Sequence, residues 1–230
     1  MILVLVLALL AAPAAAAGPV PGSVVISDER TVTWSGTPAE RAWARERPDP
    51  RARGVARLRW YTEDGHPEVY LALRRWRDPV GGRWLLVRLP MRPNGRRGWV
   101  RERALAPLRR VRTHLTVDRR RLRATLRRGG RPIWSSPVGV GRPSTPTPGG
   151  RFWIRERLRG LGGVYGPWAF GTSAYSRLSD WPGGGVVGIH GTDRPSLIPG
   201  RPSHGCVRVP NPAVRRLARL MPVGTPVLVL

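Results

Sequence analysis

The run Ser203-His204-Gly205-Cys206-Val207-Arg208 carries the only cysteine of the chain, and Ile189-His190-Gly191-Thr192 precedes it. A lone cysteine forms no intramolecular disulfide, and taken alone it is more often a small buried apolar residue. Here, however, histidines occur in both runs and a glycine stands directly before the cysteine. These neighbours favour a reactive thiol over a structural one.

His190 is the predicted base for this thiol. The thiolate is the nucleophilic form, and a free thiol with a pKa of about 8.5 needs a base to reach it near neutral pH. His204 lies two residues before Cys206, a separation of about 6.6–6.8 Å along a strand, which is awkward for a direct hydrogen bond. His190 ends a different predicted strand and reaches Cys206 if the two strands are neighbours. The Gly191 carbonyl can then hold one ring nitrogen and fix the tautomer.

Two further residues of the cysteine run suit a reaction at a carbonyl group. Gly205 removes the side chain beside the nucleophile, so backbone N–H groups near Gly205 and Cys206 can face a developing oxyanion. Arg208 can bind a substrate carboxylate or carbonyl. A zinc site made by Cys206, His204 and His190 is an alternative. It needs a fourth ligand or water, and no spaced pair of cysteines or histidines supports it.

The charge of the chain is strongly positive and comes entirely from arginine. Lys+Arg number 40 against 14 Asp+Glu in 230 residues, lysine is absent, and the formal net charge is +26. Such a charge attracts polyanions. Because the arginines are scattered along the chain, nucleic acid is not the expected partner. An anionic cell wall or lipid surface is expected instead, with a merely solvated basic surface as the alternative.

The chain begins with an uncharged stretch, residues 1–17, that is apolar over 3–10 and rich in small residues over 11–17. This composition is typical of a secretory signal peptide, although the positive n-region is missing. The stretch is shorter than the roughly 20 apolar residues that a membrane span needs. An N-terminal membrane anchor and a buried apolar segment are the alternatives.

Three segments follow the predicted signal. Residues 18–50 indicate a linker with one short helix around 39–47, and residues 51–110 indicate short strands. Residues 111–230 indicate a second β-rich domain, which abundant glycine (28) and proline (25) favour over long helices. Strands are predicted at 69–73, 84–89, 98–100, 113–118, 122–126, 132–140, 151–155, 185–190, 205–209 and 225–230.

One helix is predicted near the C-terminus. Asn211 suits the N-cap position and Pro212 the first helical position, while Gly224 marks the end. Four apolar residues share one face of this helix: Val214, Leu217, Ala218 and Met221. Residues 160–166, by contrast, are predicted to form a flexible loop.

Several motifs together resemble those of a known family. His190-Gly191-Thr192 followed by Ser203-His204-Gly205-Cys206-Val207-Arg208 resembles the signature of the L,D-transpeptidases with a YkuD-type catalytic domain. Thr145-Pro146-Thr147-Pro148-Gly149-Gly150-Arg151-Phe152 resembles another stretch of that family, as do Tyr165-Gly166-Pro167-Trp168 and Asn211. The likeness covers residues 111–230. Separately, Pro93-Asn94-Gly95-Arg96-Arg97-Gly98-Trp99-Val100 resembles the end of bacterial SH3-like barrels.

The resemblance implies a mainly β protein, with a β-sandwich-like L,D-transpeptidase domain that has one short C-terminal helix and follows a small SH3-like β-barrel. It implies that Cys206 attacks a peptidoglycan stem peptide at its third residue, releasing D-alanine, and that His190 is the base oriented by Gly191. Ser203, His204, Gly205 and Arg208 map onto the substrate-binding motif around the nucleophile. The family needs no metal or cofactor, and carbapenems are expected covalent inhibitors.

This reading implies a 3→3 cross-linking enzyme that is secreted or periplasmic and associated with the cell wall. Two other enzymatic functions remain open, an L,D-carboxypeptidase and a transferase that attaches a protein amine to peptidoglycan. A non-catalytic wall-binding protein is the contrasting class. The intact Cys206, His190 and Gly205 argue against that class.

Overall fold

The computed structural model describes residues 17–178, 180 and 182–230. The predicted signal peptide therefore lies outside the described residues, apart from Ala17, and it stays a prediction. Strands dominate the described part of the chain. No helix in that part is long and apolar enough to cross a membrane.

An eight-stranded sheet occupies the N-terminal half, in the order β4-β3-β7-β6-β5-β2-β8, with β1 pairing with β5. Its alternating buried residues, among them Leu85, Val87 and Val100, form one apolar cluster. The strands are β1 (Val24–Val25), β2 (Thr33–Gly36), β3 (Trp43–Arg45), β4 (Gly54–Arg57), β5 (Tyr70–Arg77), β6 (Arg83–Arg88), β7 (Arg97–Arg101) and β8 (Arg109–Val111).

The segment 18–50 differs from its prediction. It supplies β1, β2 and β3 to this sheet rather than an irregular linker, and the short helix expected at 39–47 is wrong because β3 lies there. Ala44 is fully buried in the sheet's apolar cluster while Trp43 points outward, which is the two-residue alternation of a strand. Pairing with β4 and β7 thus overrides the helix-favouring alanines and arginines. The SH3-like assignment of residues 51–110 stays a prediction.

The C-terminal half contains two further sheets, with orders β11-β10-β9-β19-β13 and β14-β15-β16-β18-β12-β17. Its elements are β9 (Thr113–Asp118), β10 (Arg123–Arg128), β11 (Arg131–Pro137), β12 (Gly139–Gly141), β13 (Gly150–Trp153), β14 (Leu158–Gly162), β15 (Gly166–Tyr175), β16 (Val186–His190), β17 (Gly200–Ser203), β18 (Val207–Arg208), helix α1 (Asn211–Leu220) and β19 (Pro226–Val229). Short 3₁₀ turns lie at Glu102–Ala104, Gly163–Tyr165, Pro182–Gly185 and Pro195–Leu197.

One apolar core joins these two sheets and the helix. Leu115 and Leu126 enter it from the first sheet, Phe170 and Ile189 from the second, and Leu217 from α1; each is at most 1% exposed. Because both sheets bury their inner faces in one cluster, the domain is a sandwich, as predicted. Residues 160–166 are not simply a loop, since β14 and a 3₁₀ turn occupy most of them.

Helix α1 forms where it was predicted, with a different start. Pro210 occupies the N-cap position and makes no side-chain cap, so the prediction of Asn211 as the N-cap is wrong. The Asn211 side chain instead accepts a hydrogen bond from the Thr192 N–H at 2.9 Å. The predicted apolar face is confirmed, because Val214 and Leu217 are fully buried against the sandwich.

A buried ion pair joins the N-terminal and C-terminal halves. The Arg155 side chain, fully buried, donates from Nε to Glu68 Oε1 at 2.8 Å and from Nη2 to the second Glu68 oxygen. Glu63 Oε2 lies 2.8 Å from Arg155 Nη1. Trp153 Nε1 also donates to the Val69 carbonyl at 2.7 Å. The two halves therefore share polar contacts shielded from water, where charge pairing matters most.

Replacing Glu68 by alanine should strongly destabilise the protein. The Arg155 charge would stay buried with only Glu63 beside it, so we expect the free energy of unfolding to fall by about 3–5 kcal/mol. Glu40→Ala, in the exposed pair of Glu40 with Arg103, is the control and should cost about 0–1 kcal/mol. Denaturant unfolding measures both. Equal losses in the two variants would contradict the assignment of the buried pair.

Candidate active site

Parallel pairing of β16 with β18 brings the two predicted motifs together. Ile189 pairs with Val207 and His190 with Arg208, which confirms that the strands are neighbours. Cys206, directly before β18, and His190, at the end of β16, line the same small pocket of about 90 Å³. A group that enters this pocket therefore lies next to both side chains.

Cys206 lies in a tight turn between β17 and β18, not within a strand as predicted. Ser203 Oγ donates to the Cys206 carbonyl at 2.6 Å and accepts the Gly205 N–H at 3.2 Å. Thr147 Oγ1 donates to the Gly205 carbonyl at 2.8 Å. Gly205 has a φ of +133°, and a Cβ there would lie 3.3 Å from Ser176 Cβ. The positive φ therefore favours glycine at this position, and the close approach of Ser176 adds to that preference.

These bonds decide which backbone donors are available beside the thiol. The Gly205 N–H is taken by Ser203, so the expectation that it faces an oxyanion is wrong in this conformation. The Cys206 N–H has no hydrogen-bond acceptor among the described residues. The Gly188 N–H donates to Cys206 Sγ at 3.3 Å. Two backbone amides therefore lie beside the thiol. The Cys206 N–H has no acceptor among the described residues, and the Gly188 N–H donates to the sulfur.

His190 is held by its own strand end. Its Nδ1 lies 2.7 Å from the Gly191 carbonyl oxygen, as predicted. A carbonyl only accepts, so Nδ1 carries the proton and Nε2 keeps its lone pair. The Tyr165 ring packs edge-on against the imidazole, with centroids 5.2 Å apart. A Cβ on Gly188 would lie 3.7 Å from His190 Cδ2 and 3.9 Å from Cys206 Sγ, so both groups flank one bare stretch of backbone.

Burial keeps both groups neutral at rest. Desolvation lowers the pKa of His190 to about 4, and the Arg208 charge acts in the same direction. The backbone at Gly191 and Val164 opposes this shift because its hydrogen bonds favour the protonated ring. Burial also raises the pKa of the Cys206 thiol, against the lowering effects of the Gly188 N–H and Arg208. Near neutral pH the site therefore holds a thiol and an imidazole, not an ion pair.

Arg208 and His204 also line the pocket, in different settings. Arg208 Nε is buried and has no hydrogen-bond partner among the described residues. His204 is exposed, and its ring contacts the Arg142 guanidinium. No three His, Cys, Asp or Glu side chains in the described part of the chain are grouped to hold a metal ion.

Three residues near the site were not singled out for it from the sequence. Tyr165 was noted only as part of a familiar motif, yet its ring contacts His190. Ser176 lies in the pocket wall, and no local pattern marks it. Gly188 interrupts an otherwise apolar strand, and a glycine there is a recognisable signal of close backbone approach.

Comparison with known proteins places this site in a family. The model of the L,D-transpeptidase catalytic domain YkuD matches residues 112–229. The putative L,D-transpeptidase YkuD of Bacillus subtilis is 34% identical over 116 residues, which span 50% of this chain and 65% of that protein. Its counterpart in Bacillus licheniformis is 37% identical over 89 residues, 39% of this chain and 48% of that protein. The chain thus spans less than two thirds of either relative.

Solved L,D-transpeptidases are also similar. The catalytic domain from Enterococcus faecium is 26% identical, with coverage of 51% of this chain and 96% of that chain and a TM-score of 0.40. The enzyme from Mycobacterium smegmatis is 15% identical, with coverage of 70% and 90% and a TM-score of 0.46. On the family match over residues 112–229, the chain belongs to the family of YkuD L,D-transpeptidase catalytic domains.

Proposed function

We propose that this protein is a peptidoglycan L,D-transpeptidase that works through a cysteine acyl-enzyme. One observation carries the proposal: Cys206 and His190, delivered by adjacent parallel strands, line one pocket with His190 Nδ1 fixed on the Gly191 carbonyl. A nucleophile, a base and a group that orients the base are the parts that covalent acyl transfer needs.

The first half-reaction acylates the thiol. The Cys206 proton passes to His190 Nε2 as Sγ attacks the carbonyl carbon of the third stem residue. The negative charge that develops on the carbonyl oxygen faces the free Cys206 N–H. The bond to D-alanine then breaks, and His190 returns the proton to the departing amine. A thioester on Cys206 and free D-alanine result.

The second half-reaction transfers the acyl group to an acceptor. A side-chain amine from a neighbouring stem attacks the thioester and gives its proton to His190, and a new amide forms as the thiol leaves and is reprotonated. The product is a 3→3 cross-link. Arg208, with its unpartnered Nε, binds a carboxylate of the peptide during both steps.

This substrate also accounts for the charge and the expected location. A net charge of +26 attracts the anionic polymers that accompany a cell wall. The apolar first 17 residues suit export to the compartment where peptidoglycan lies. We therefore place the working enzyme outside the cytoplasm, at the wall.

Incubation with muropeptides that carry tetrapeptide stems tests the function directly. We expect a cross-linked dimer whose mass equals two monomers less one D-alanine, read by mass spectrometry. Cys206→Ala should form none. A shortened tripeptide without dimer would show that water is the acceptor and that the carboxypeptidase reading is right, and unchanged muropeptides would contradict the proposal.

His190→Ala should slow acylation far more than His204→Ala, because only His190 is fixed in the pocket by a backbone carbonyl. Ertapenem is a suitable acylating probe, since the catalytic domain from E. faecium has been solved acylated by it. We expect loss of the base to cost about 10²–10⁴-fold in rate. Intact-mass measurement gives the rates, with Cys206→Ala as the unreactive control. The opposite order of the two histidine variants would show that His204 is the base.

The rate of acylation should stay level down to about pH 5. The pKa of His190 is lowered to about 4, so the neutral base persists until the solution becomes more acidic than that, and the rate falls only there. Alkylation of Cys206 by iodoacetamide needs the thiolate, whose pKa is raised, so it should keep increasing above pH 8.5. A fall in acylation centred near pH 6.5 would mean that the imidazole is not desolvated.

A further inference from the structure

The N-terminal sheet makes several contacts with Tyr175, a residue next to the active site. The connection between β6 and β7, residues 89–96, meets Tyr175 at the end of β15. The Tyr175 hydroxyl shares its proton between Glu63 Oε1, at 2.8 Å, and the Pro90 carbonyl, at 3.1 Å. The Asn94 side chain accepts the Tyr175 N–H at 3.0 Å and donates to its carbonyl at 2.8 Å. The Arg92 guanidinium lies 4.7 Å from the centre of the Tyr175 ring.

Arg92 also donates hydrogen bonds to both ends of the connection between β15 and β16. Its Nη1 donates to the Gly184 carbonyl at 2.9 Å, and its Nη2 donates to the carbonyls of Ser176, at 3.0 Å, and Leu178, at 3.3 Å. The Ser176 N–H meets the Gly185 carbonyl at 2.9 Å within the same region. A charged planar donor shared by three carbonyls fixes their spacing more firmly than a neutral bond does.

Ser176, in the segment that Arg92 and Asn94 contact, forms part of one wall of the pocket around Cys206. Ser176 lines the pocket together with Cys206, as do Val186 and Val187 from the other side of the connection. Ser176 Cβ also lies 3.3 Å from the place where a Cβ of Gly205 would be, so this wall closely approaches the turn that carries Cys206. A shift of Ser176 towards Gly205 would therefore press on the residue directly before Cys206.

The same contacts line a larger groove that begins at this wall. The groove has a volume of about 700 Å³, and Ser176 belongs both to it and to the pocket around Cys206. Arg92 and Asn94 line it from the connection between β6 and β7, and Thr147 lines it from the C-terminal half. A peptide bound at Cys206 therefore has this groove beside it.

We propose that Arg92 and Asn94 are positioning residues for acyl transfer: the N-terminal sheet holds the Tyr175–Ser176 wall in the place where a peptide carbonyl must meet Cys206. This inference rests on the proposed function. In this proposal the N-terminal half affects the chemistry by holding Ser176 in place, without contacting the reacting atoms. Misplacement by about 1 Å in such a wall is enough to slow a reaction greatly.

Arg92→Gln and Asn94→Ala test the proposal, with Arg77→Gln as a control of equal charge loss at an exposed site on β5. Two reagents are compared on each variant: ertapenem, which must be positioned against the wall, and iodoacetamide, which needs only an accessible thiolate. We expect ertapenem acylation to fall by about 10–100-fold in the two variants, and iodoacetamide alkylation to hold or rise. Arg92→Lys, which keeps one charged donor, should restore part of the loss.

Two results would overturn the proposal. One is an unchanged ertapenem rate in the double variant of Arg92 and Asn94. The other is a parallel loss of both reactivities together with a lower melting temperature, which would mean that the contacts only stabilise the fold.

Hydrogen exchange separates this inference from the proposed function. If wild-type protein is not acylated by ertapenem, the function fails, but the positioning claim is still tested at the Ser176 amide. Arg92→Gln should speed exchange there while Arg77→Gln should not. Equal exchange in both variants would overturn the claim.

Discussion

The parallel pairing of β16 with β18 is the constraint on which the active site depends. Parallel strands cannot be joined by a tight turn, so the chain must leave after β16 and return before β18. It does so through β17 and arrives as the turn that presents Cys206. The register sets His190 opposite Arg208, which by the same alignment puts Gly188 beside Cys206. A bare glycine at that place lets its N–H reach the sulfur.

Burial of Cys206 and His190 determines the protonation states of their side chains. The neutral thiol and neutral imidazole cost little to bury, whereas a thiolate–imidazolium pair would have to offset the desolvation of two charges. Arg208 favours the thiolate and disfavours the imidazolium, so it acts in opposite directions on the two ends of a proton transfer between them.

The sequence allowed a β-rich C-terminal domain, the helix and the Cys206–His190 pair to be predicted from local periodicity and compact motifs, and the resemblance to the L,D-transpeptidases implied the sandwich. The strand at 113–118 was predicted with its observed bounds. The errors arose where distant contacts decide the structure. Ala44 lies in the predicted helix at 39–47, but strand pairing buries it in the sheet. Cys206 lies in a predicted strand, but the structure puts it in a turn that a hydrogen bond from Ser203 stabilises. The role of Ser176 had no local signature, since it depends on a contact with Gly205 across the fold.

The arginine at the pocket has one more chemical consequence. A thioester is attacked by free amines, and a lysine beside Cys206 would compete with the intended acceptor for the acyl group. A guanidinium remains protonated at any physiological pH and is not such an acceptor. In the proposed acyl-enzyme, Arg208 can thus lie beside the acylated cysteine without accepting the acyl group. Because lysine is absent from all 230 residues, no lysine amine of the chain itself could attack the thioester in the proposed reaction.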